Sequence, residues 1–262
     1  MKQTKKKEKT LKPSLPNAGI QLWYQRELRR QITRMHKNVT AKILTSFSKN
    51  SLAYDASPAS MIRNTLRALS ARWVKKFTAL SDDLAKTFVN RAAGNVDVPL
   101  KKQLVDKGFA IDFKMTRDMH NAVTAIVAEN VSLIKSIPQR YFTNVESVVL
   151  QSVSRGGDLA QLKKTLGQQF GVTARRAELI ARDQNRKANS ALAAVRQHAL
   201  GITEGIWRHT GAGQHPRPDH VKATGKKFSL RKGCLISGEY ILPGEKINCG
   251  CIWEPVLPTF ED

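Results

Sequence analysis

The stretch GIWRHTGAGQHPRPDH, residues 205–220, and the run INCGC, residues 247–251, decide the architecture of this protein. Both lie in a region after Gly201 where glycine and proline become frequent. Four short β-like pieces lie between the turns, at residues 204–209, 226–230, 239–242 and 251–253. Residues 201–262 are therefore predicted to form a small, loop-rich, β-containing module with its Cys and His residues, followed by a C-terminal tail.

The chain in front of this module is predicted to be helical. Apolar residues recur at three- and four-residue spacing, for example Leu66, Leu69, Trp73 and Phe77, which is the period of an amphipathic helix. The predicted fold class is α+β, with a mainly helical N-terminal body. Three regions are expected in it: a disordered basic tail at 1–17, a basic helical region at 18–136 and a further helical region at 137–200. Helix breaks are expected at residues 94–99, at 137–138 and at Gly171, where Gly or Pro interrupts the pattern.

The charge balance points to a polyanionic partner. The chain has 262 residues, with 44 Lys and Arg against 21 Asp and Glu, and a formal net charge of +23. Such a charge favours nucleic acid or an acidic assembly partner. The alternative is that these basic residues only solvate a tail and helix faces. The candidate residues for contact with nucleic acid or a protein partner are Lys5, Lys6, Lys7, Arg29, Arg30, Arg63, Arg67, Lys75 and Lys76.

The cysteines suggest a metal site. The chain has three, Cys234, Cys249 and Cys251, all near the C-terminus, which does not fit a disulfide framework and does fit a reducing compartment. Residues two apart on an extended segment point to the same side, so Cys249 and Cys251 can present two thiolates to one ion. With His220 and Cys234 they would complete a Cys3His zinc site, with His215 as a spare ligand. The alternative is three buried free cysteines and a hydrogen-bonded histidine.

A polar helix segment precedes the module, and the chain shows few signs of catalysis. Along residues 181–189, Arg182, Asn185, Arg186 and Asn189 share one helix face, which would contact phosphate or a partner, or would be solvated and hydrogen-bond the module. No Gly-rich phosphate loop and no His-Glu metalloprotease spacing occurs. A catalytic role for His220 beside Asp219 lacks an oriented base. No secretory signal or membrane-spanning run is expected.

The order of motifs from residue 137 onward resembles the phage Mu F-like family of minor head, or head-morphogenesis, proteins. The first matching pieces are Ile137–Pro138, Tyr141–Phe142, Val145–Glu146, Gly156–Gly157, Gly171–Thr173, Ala181–Gln184 and Asn189. The module adds Gly201–Ile202, Ile206–Arg208, Arg217 with His220, Gly225 with Phe228, Pro243–Glu245 and Ile247–Cys251. The pieces together cover nearly half of the chain.

The sequence departs from that family at three positions that bear on the metal. Gly250 replaces the arginine of the family's usual Asn-Cys-Arg-Cys run. Residues 217–220 stand where some members carry a Cys-Pro-x-Cys pair, and Lys246 stands where those members have a histidine. The resemblance therefore transfers a zinc site only in part, and Cys234 is a possible substitute ligand.

The resemblance implies a structural protein of a tailed phage, made in the host cytoplasm and built into the virion in few copies. It implies action in head assembly at or near the portal vertex, with the portal protein and the major capsid protein as partners and non-specific contact with packaged double-stranded DNA. No enzymatic activity and no membrane partner are expected. Two alternatives stay open: a nucleic-acid-processing enzyme, such as a nuclease or transferase using His220 and the cysteines, and a plain nucleic-acid-binding protein with a zinc module.

Overall fold

The computed structural model describes residues 9–50, 58–155, 158–211 and 216–258. In these residues four long helices come first: α1 Ala18–Asn50, α2 Pro58–Val105, α3 Arg117–Ser154 and α4 Leu159–Ala199. The module follows with β1 Glu204–Arg208, the short helix α5 Pro218–Lys222, β2 Lys227–Ser229, β3 Cys234–Ile236, β4 Glu239–Ile241 and β5 Ile252–Val256. The predicted α+β class is confirmed. Of the strands, β3 is the one for which the sequence pattern predicted no β piece.

The expected helix breaks at residues 94–99, at 137–138 and at Gly171 are wrong. Pro99 lies inside α2 and Pro138 inside α3, and α4 runs through Gly171. A proline within a helix removes one backbone hydrogen bond and is unfavourable on its own. The apolar stripe nevertheless continues past each proline, through buried Val96, Leu100 and Leu104 in α2 and through Ile134, Ile137 and Tyr141 in α3. Burial of these side chains outweighs the local preference for a break.

The chain divides into two compact units, and each long helix has residues in both. One unit comprises residues 22–86 and 127–181. Its core is built from helix faces, with Leu28, Ile32, Phe77, Ile134 and Val145 all fully buried. We call it the helical unit.

The other unit, which we call the module unit, comprises residues 1–21, 87–126 and 182–262, of which the described part begins at residue 9. It holds the strands as a three-stranded sheet of order β2-β1-β5 and a β3-β4 hairpin. β1 pairs antiparallel with β5, and Trp207 lies opposite Trp253. The sheet is tied to α4 by the Trp253 indole, whose Nε1 donates to Gln197 Oε1 at 2.8 Å.

The N-terminal segment differs from the expected disordered tail over residues 9–17. Leu11 is buried and its amide donates to the carbonyl of Pro255 at 2.9 Å, while the Leu257 amide donates to the carbonyl of Lys9. Thr10 thereby forms an antiparallel bridge with Val256. The segment is ordered because the free backbone edge of β5 supplies hydrogen bonds that no local pattern in the segment reveals. Residues 1–8 of the predicted tail lie outside the described residues.

Candidate functional site

Three of the four predicted metal ligands come together in the module unit. The donor atoms of His220, Cys249 and Cys251 all lie within 4.8 Å of one another. His220 Nδ1 is 3.4 Å from Cys249 Sγ and 3.7 Å from Cys251 Sγ. All three side chains are buried. This is a compact set of one imidazole and two thiols, and such a group can hold a metal ion.

Local turns place each of these ligands. His220 lies on α5, which starts at Pro218, a residue suited to the first turn of a helix because it needs no hydrogen-bond partner. The indole of Trp207 meets the His220 ring edge-on, with centroids 5.4 Å apart. Cys249 and Cys251 lie in the loop between β4 and β5, just after Asn248, which has a left-handed φ of 60°.

The hydrogen bonds around the thiols favour a thiolate. A hydrogen bond from the Cys251 side chain lowers the pKa of the Cys249 thiol, and the backbone amides of Cys251 and Gly244 lower it further. The same thiol–thiol hydrogen bond raises the pKa of Cys251, as does its burial. One negative charge is thus favoured at this pair beside His220, and the thiolate is the form of cysteine that binds metals.

The distances match the edges of a zinc tetrahedron. Zinc bonds of about 2.3 Å to sulfur and about 2.0–2.1 Å to nitrogen give sulfur–nitrogen separations of about 3.6 Å at tetrahedral angles. The observed values of 3.4 and 3.7 Å are centred on that separation. The Trp207 indole lies beside the group, where it lowers the pKa of Cys251. The residues present therefore fit a bound zinc ion.

Cys234 is not part of this group. It lies on β3, opposite Ile241 on β4, and is buried. Burial raises the pKa of its thiol, so its surroundings favour the neutral form. The placement does not support Cys234 as the fourth ligand, because it does not belong to the group of mutually close donor atoms. His215, the spare candidate, lies outside the described residues.

The sequence pattern did not single out His209, which also reaches the group. Its Nδ1 lies 3.5 Å from Cys251 Sγ, and its side chain is part-buried. The signal for this contact is the strand register. The β1–β5 pairs run from Glu204 with Val256 to Arg208 with Ile252. Continued one residue beyond the strands, this register brings His209 opposite Cys251. A hydrogen bond from Thr210 Oγ1 to the Gly250 carbonyl at 2.8 Å extends the same alignment.

The polar face of α4 holds the cysteine loop in place. Arg182 Nη2 donates to Asn248 Oδ1 at 3.0 Å, and Arg186 Nη1 donates to the Asn248 carbonyl at 3.3 Å. Asn189 Nδ2 donates to the carbonyl of Ser14, and Asn185 Nδ2 to that of Asn17. The prediction that this face hydrogen-bonds the module is confirmed. The same face also binds the N-terminal segment. Asn185 and Asn189 are therefore buried, whereas the sequence pattern predicted that they would be exposed to solvent.

The basic candidate residues that the structure describes lie on the surface of the helical unit. Arg29 and Arg30 are exposed on α1, and Arg63, Arg67, Lys75 and Lys76 are exposed on α2. Arg30 pairs with Glu27 at 2.5 Å and Arg63 with Glu146 at 3.7 Å. Lys76 Nζ lies 4.7 Å from the centre of the Trp73 ring. Lys5, Lys6 and Lys7 lie outside the described residues.

On α1 the basic residues share one side of the helix. Successive residues are turned by about 100°, which puts five basic residues on the side away from the buried stripe of Leu28, Ile32, Met35 and Val39. We call this set the α1 basic face: Arg26, Arg29, Arg30, Arg34 and Lys37. Glu27 is the single acidic residue of α1. A cationic strip of this kind suits a polyanion.

Among the described helices, none combines the length and the apolar character that a membrane crossing requires.

Comparison with known proteins bears on the module and the helices before it. Residues 143–254, from the end of α3 to β5, match the family model described as "Phage Mu protein F like protein". Over all of its length the chain is 28% identical, across 271 aligned positions, to an uncharacterized protein of Haemophilus influenzae. The chain spans 58% of the length of that relative. No solved structure matches the chain. The resemblance is confirmed: residues 143–254 of this chain form a phage Mu F-like region.

Proposed function

We propose that this protein is a minor structural protein of a tailed-phage head that acts in head morphogenesis. The observation that carries the proposal is the match of residues 143–254 to the phage Mu F-like family, since head morphogenesis is what that resemblance implies. The matched region contains α4, β1 to β4, the first part of β5 and the ligand group. The proposal includes no enzymatic step.

The proposal places the protein in the virion at or near the portal vertex, after synthesis in the host cytoplasm. Its partners there are the portal protein and the major capsid protein, with packaged double-stranded DNA as a non-specific partner. The exposed cations of α1 and α2 support the DNA contact, because they lie on the surface of the helical unit and α1 has a single acidic residue, Glu27. Contact with phosphates alone positions a protein on DNA without reading its sequence.

Zinc is the metal proposed for the ligand group. His220, Cys249 and Cys251 would hold it, since an imidazole and two thiolates are ligands that zinc prefers. When bound, zinc would cross-link α5 to the β4–β5 loop. Because binding energy at a structural zinc site adds to folding energy, the metal would stabilise the module.

Assembly tests the head-protein proposal. The chain is produced together with the portal and major capsid proteins of the phage or prophage that encodes it, and assembled heads are isolated. The expected result is co-purification of the chain in few copies per head. Heads assembled without the chain should be fewer or misshapen in electron micrographs. Heads that form normally and never contain the chain would contradict the proposal.

Salt-dependent binding to random-sequence DNA duplexes tests the nucleic-acid contact. Wild-type affinity should fall steeply with salt and show no sequence preference. A triple variant of the α1 basic face, Arg29→Gln, Arg30→Gln and Arg34→Gln, should lower the slope of log affinity against log salt by about 0.9 for each phosphate that is no longer neutralised. The matched control removes three charges from exposed positions of the module: Lys222→Gln, Arg231→Gln and Lys232→Gln.

The slope of the control variant should stay close to that of the wild type. Equal reductions in both variants would mean that only net charge matters, and the helical surface would then not be the DNA contact. DNA cleavage by the purified chain with added metal, abolished by His220→Ala, would favour the enzymatic alternative over the structural one.

Metal analysis tests the zinc proposal. Protein purified without chelators should carry about one zinc per chain. The double variant Cys249→Ser with Cys251→Ser should lose it, while Cys234→Ser should retain it because Cys234 lies outside the group. Wild-type protein with less than about half an equivalent of zinc would refute the proposal.

A further inference from the structure

We propose that His209 is the fourth ligand of the metal centre. The centre is then a closed Cys2His2 site built from His209, His220, Cys249 and Cys251. This assignment rests on the proposed zinc site and names its missing ligand. Three ligands leave one position of a tetrahedron open, and zinc sites with an open position are typically catalytic, whereas four protein ligands make a structural site. The identity of the fourth ligand therefore decides what the centre can do.

Distances around the two cysteines favour His209. Its Nδ1 is 3.5 Å from Cys251 Sγ, and the two His220 contacts are 3.4 and 3.7 Å. All three values match the sulfur–nitrogen edge of about 3.6 Å that zinc bond lengths require. His209 contacts Cys251 but does not belong to the set of three donors that all lie close to one another. Ligation would require its ring to turn toward Cys249 and His220.

The backbone that carries His209 also favours it. The β1–β5 register ends at Arg208 with Ile252, and its continuation by one residue brings His209 opposite Cys251. Directly opposed residues of an antiparallel pair point to the same face. Trp207 and Trp253, two positions away on each strand, also share that face and are buried. The His209 amide donates to Thr224 Oγ1 at 3.3 Å, which fixes the chain just after β1. The sheet therefore positions the His209 side chain next to the metal centre.

The other candidate ligands lie elsewhere or have the wrong chemistry. Cys234 lies on a separate hairpin, outside the group. Lys246 sits in the turn before the cysteines, where its amino group pairs with Glu239. Among the described histidines, His209 and His220 are the two whose ring nitrogens contact a cysteine sulfur. The consequence is that the centre has no position for a reacting water, which agrees with a structural role.

Cobalt substitution tests this assignment with a readout that does not depend on activity. Co(II) in a closed tetrahedral site absorbs strongly in the visible region, and added azide should not change the spectrum of the wild type. In His209→Ala one position becomes open, so the spectrum should shift on mutation and shift again with azide. Zinc affinity should fall at least about tenfold, the lower end of the range for removal of outer-shell partners. In His209→Cys a ligand is restored, so the azide response should vanish and thiolate charge-transfer absorption should increase.

The controls separate the fourth ligand from the zinc proposal itself. His215→Ala and Cys234→Ser should keep the wild-type cobalt spectrum and azide resistance. If one of them opens the site while His209→Ala does not, His209 is not the ligand, and the zinc proposal still stands. If the wild type binds neither zinc nor cobalt, the zinc proposal fails and the assignment of His209 fails with it. Far-ultraviolet circular dichroism of each variant checks that the fold is kept.

Discussion

The backbone amide of Asn248 donates to Asp183 Oδ1 on α4 at 3.2 Å, while Asn248 itself holds a left-handed φ of 60°. The turn that carries the two cysteines is therefore fastened to the helix by its own backbone. The Asn248 side chain adds a contact, since its Oδ1 accepts from Arg182. Asparagine is one of the few residues other than glycine that adopt this φ readily.

Replacement of Asn248 should separate these two roles. Asn248→Ala removes the hydrogen bond from Arg182 and puts a less tolerant residue at positive φ, so we expect a decrease of about 1–2 kcal/mol in the free energy of unfolding. Asn248→Gly keeps the backbone conformation and removes only the side-chain hydrogen bond, so its effect should be clearly smaller. Urea unfolding of both variants measures the difference. Equal effects would show that the conformation at this position contributes nothing.

A part-buried ion pair should contribute to the stability of the module unit. Arg196 binds Asp97 through two nitrogens at 2.7 and 2.8 Å and also donates to the Lys114 carbonyl. Arg196→Met leaves the partly exposed Asp97 carboxylate without its partner, and we expect a decrease of about 1–3 kcal/mol in unfolding free energy. The control is Lys86→Met at the exposed pair with Asp82, which should leave stability nearly unchanged. Similar effects of the two variants in urea unfolding would contradict this.

Two glycines should respond to alanine in opposite ways. At Gly205 on β1 an added Cβ would lie 2.6 Å from Cδ1 of Trp253, so Gly205→Ala should destabilise by about 1–3 kcal/mol through overpacking. At Gly94 within α2 an added Cβ meets nothing within 4 Å. Gly94→Ala should therefore stabilise by about 0.5–1 kcal/mol, because alanine loses less entropy in a helix. Thermal unfolding of the two variants should show shifts of opposite sign.

The helical unit should lose stability in mild acid through His36. The Nδ1 of His36 lies 3.0 Å from the Tyr141 hydroxyl, and the ring packs on Phe170 with centroids 4.9 Å apart. Burial lowers the pKa of His36 below its ordinary value of 6.5. In the unfolded chain the residue takes up a proton near that value, before the folded protein does, so unfolding is favoured as the pH falls.

Unfolding free energy measured across this pH range should therefore decrease as the pH falls through 6.5 and toward the lower folded pKa. His36→Gln, which carries no titrating ring, should show a shallower dependence over the same interval. An unchanged slope in that variant would assign the pH dependence to other groups.

The sequence alone determined the features that depend on local periodicity and residue type. The three- and four-residue spacing of Leu66, Leu69 and Trp73 predicted the helices, and the two-residue spacing of Cys249 and Cys251 predicted that their thiols lie close together. These predictions needed only the geometry of a single helix or extended segment.

The tertiary structure decided what depends on residues far apart in the chain. Pro99 and Pro138 remain helical because burial of the residues around them outweighs the missing backbone hydrogen bond. Residues 9–17 are ordered because β5 has a free edge that accepts them. His209 reaches Cys251 because the antiparallel register of β1 and β5 makes them opposite neighbours. Strand register is fixed by pairing across 42 residues of chain, which no local pattern encodes, and it places His209 at the group while Cys234 is held on another hairpin.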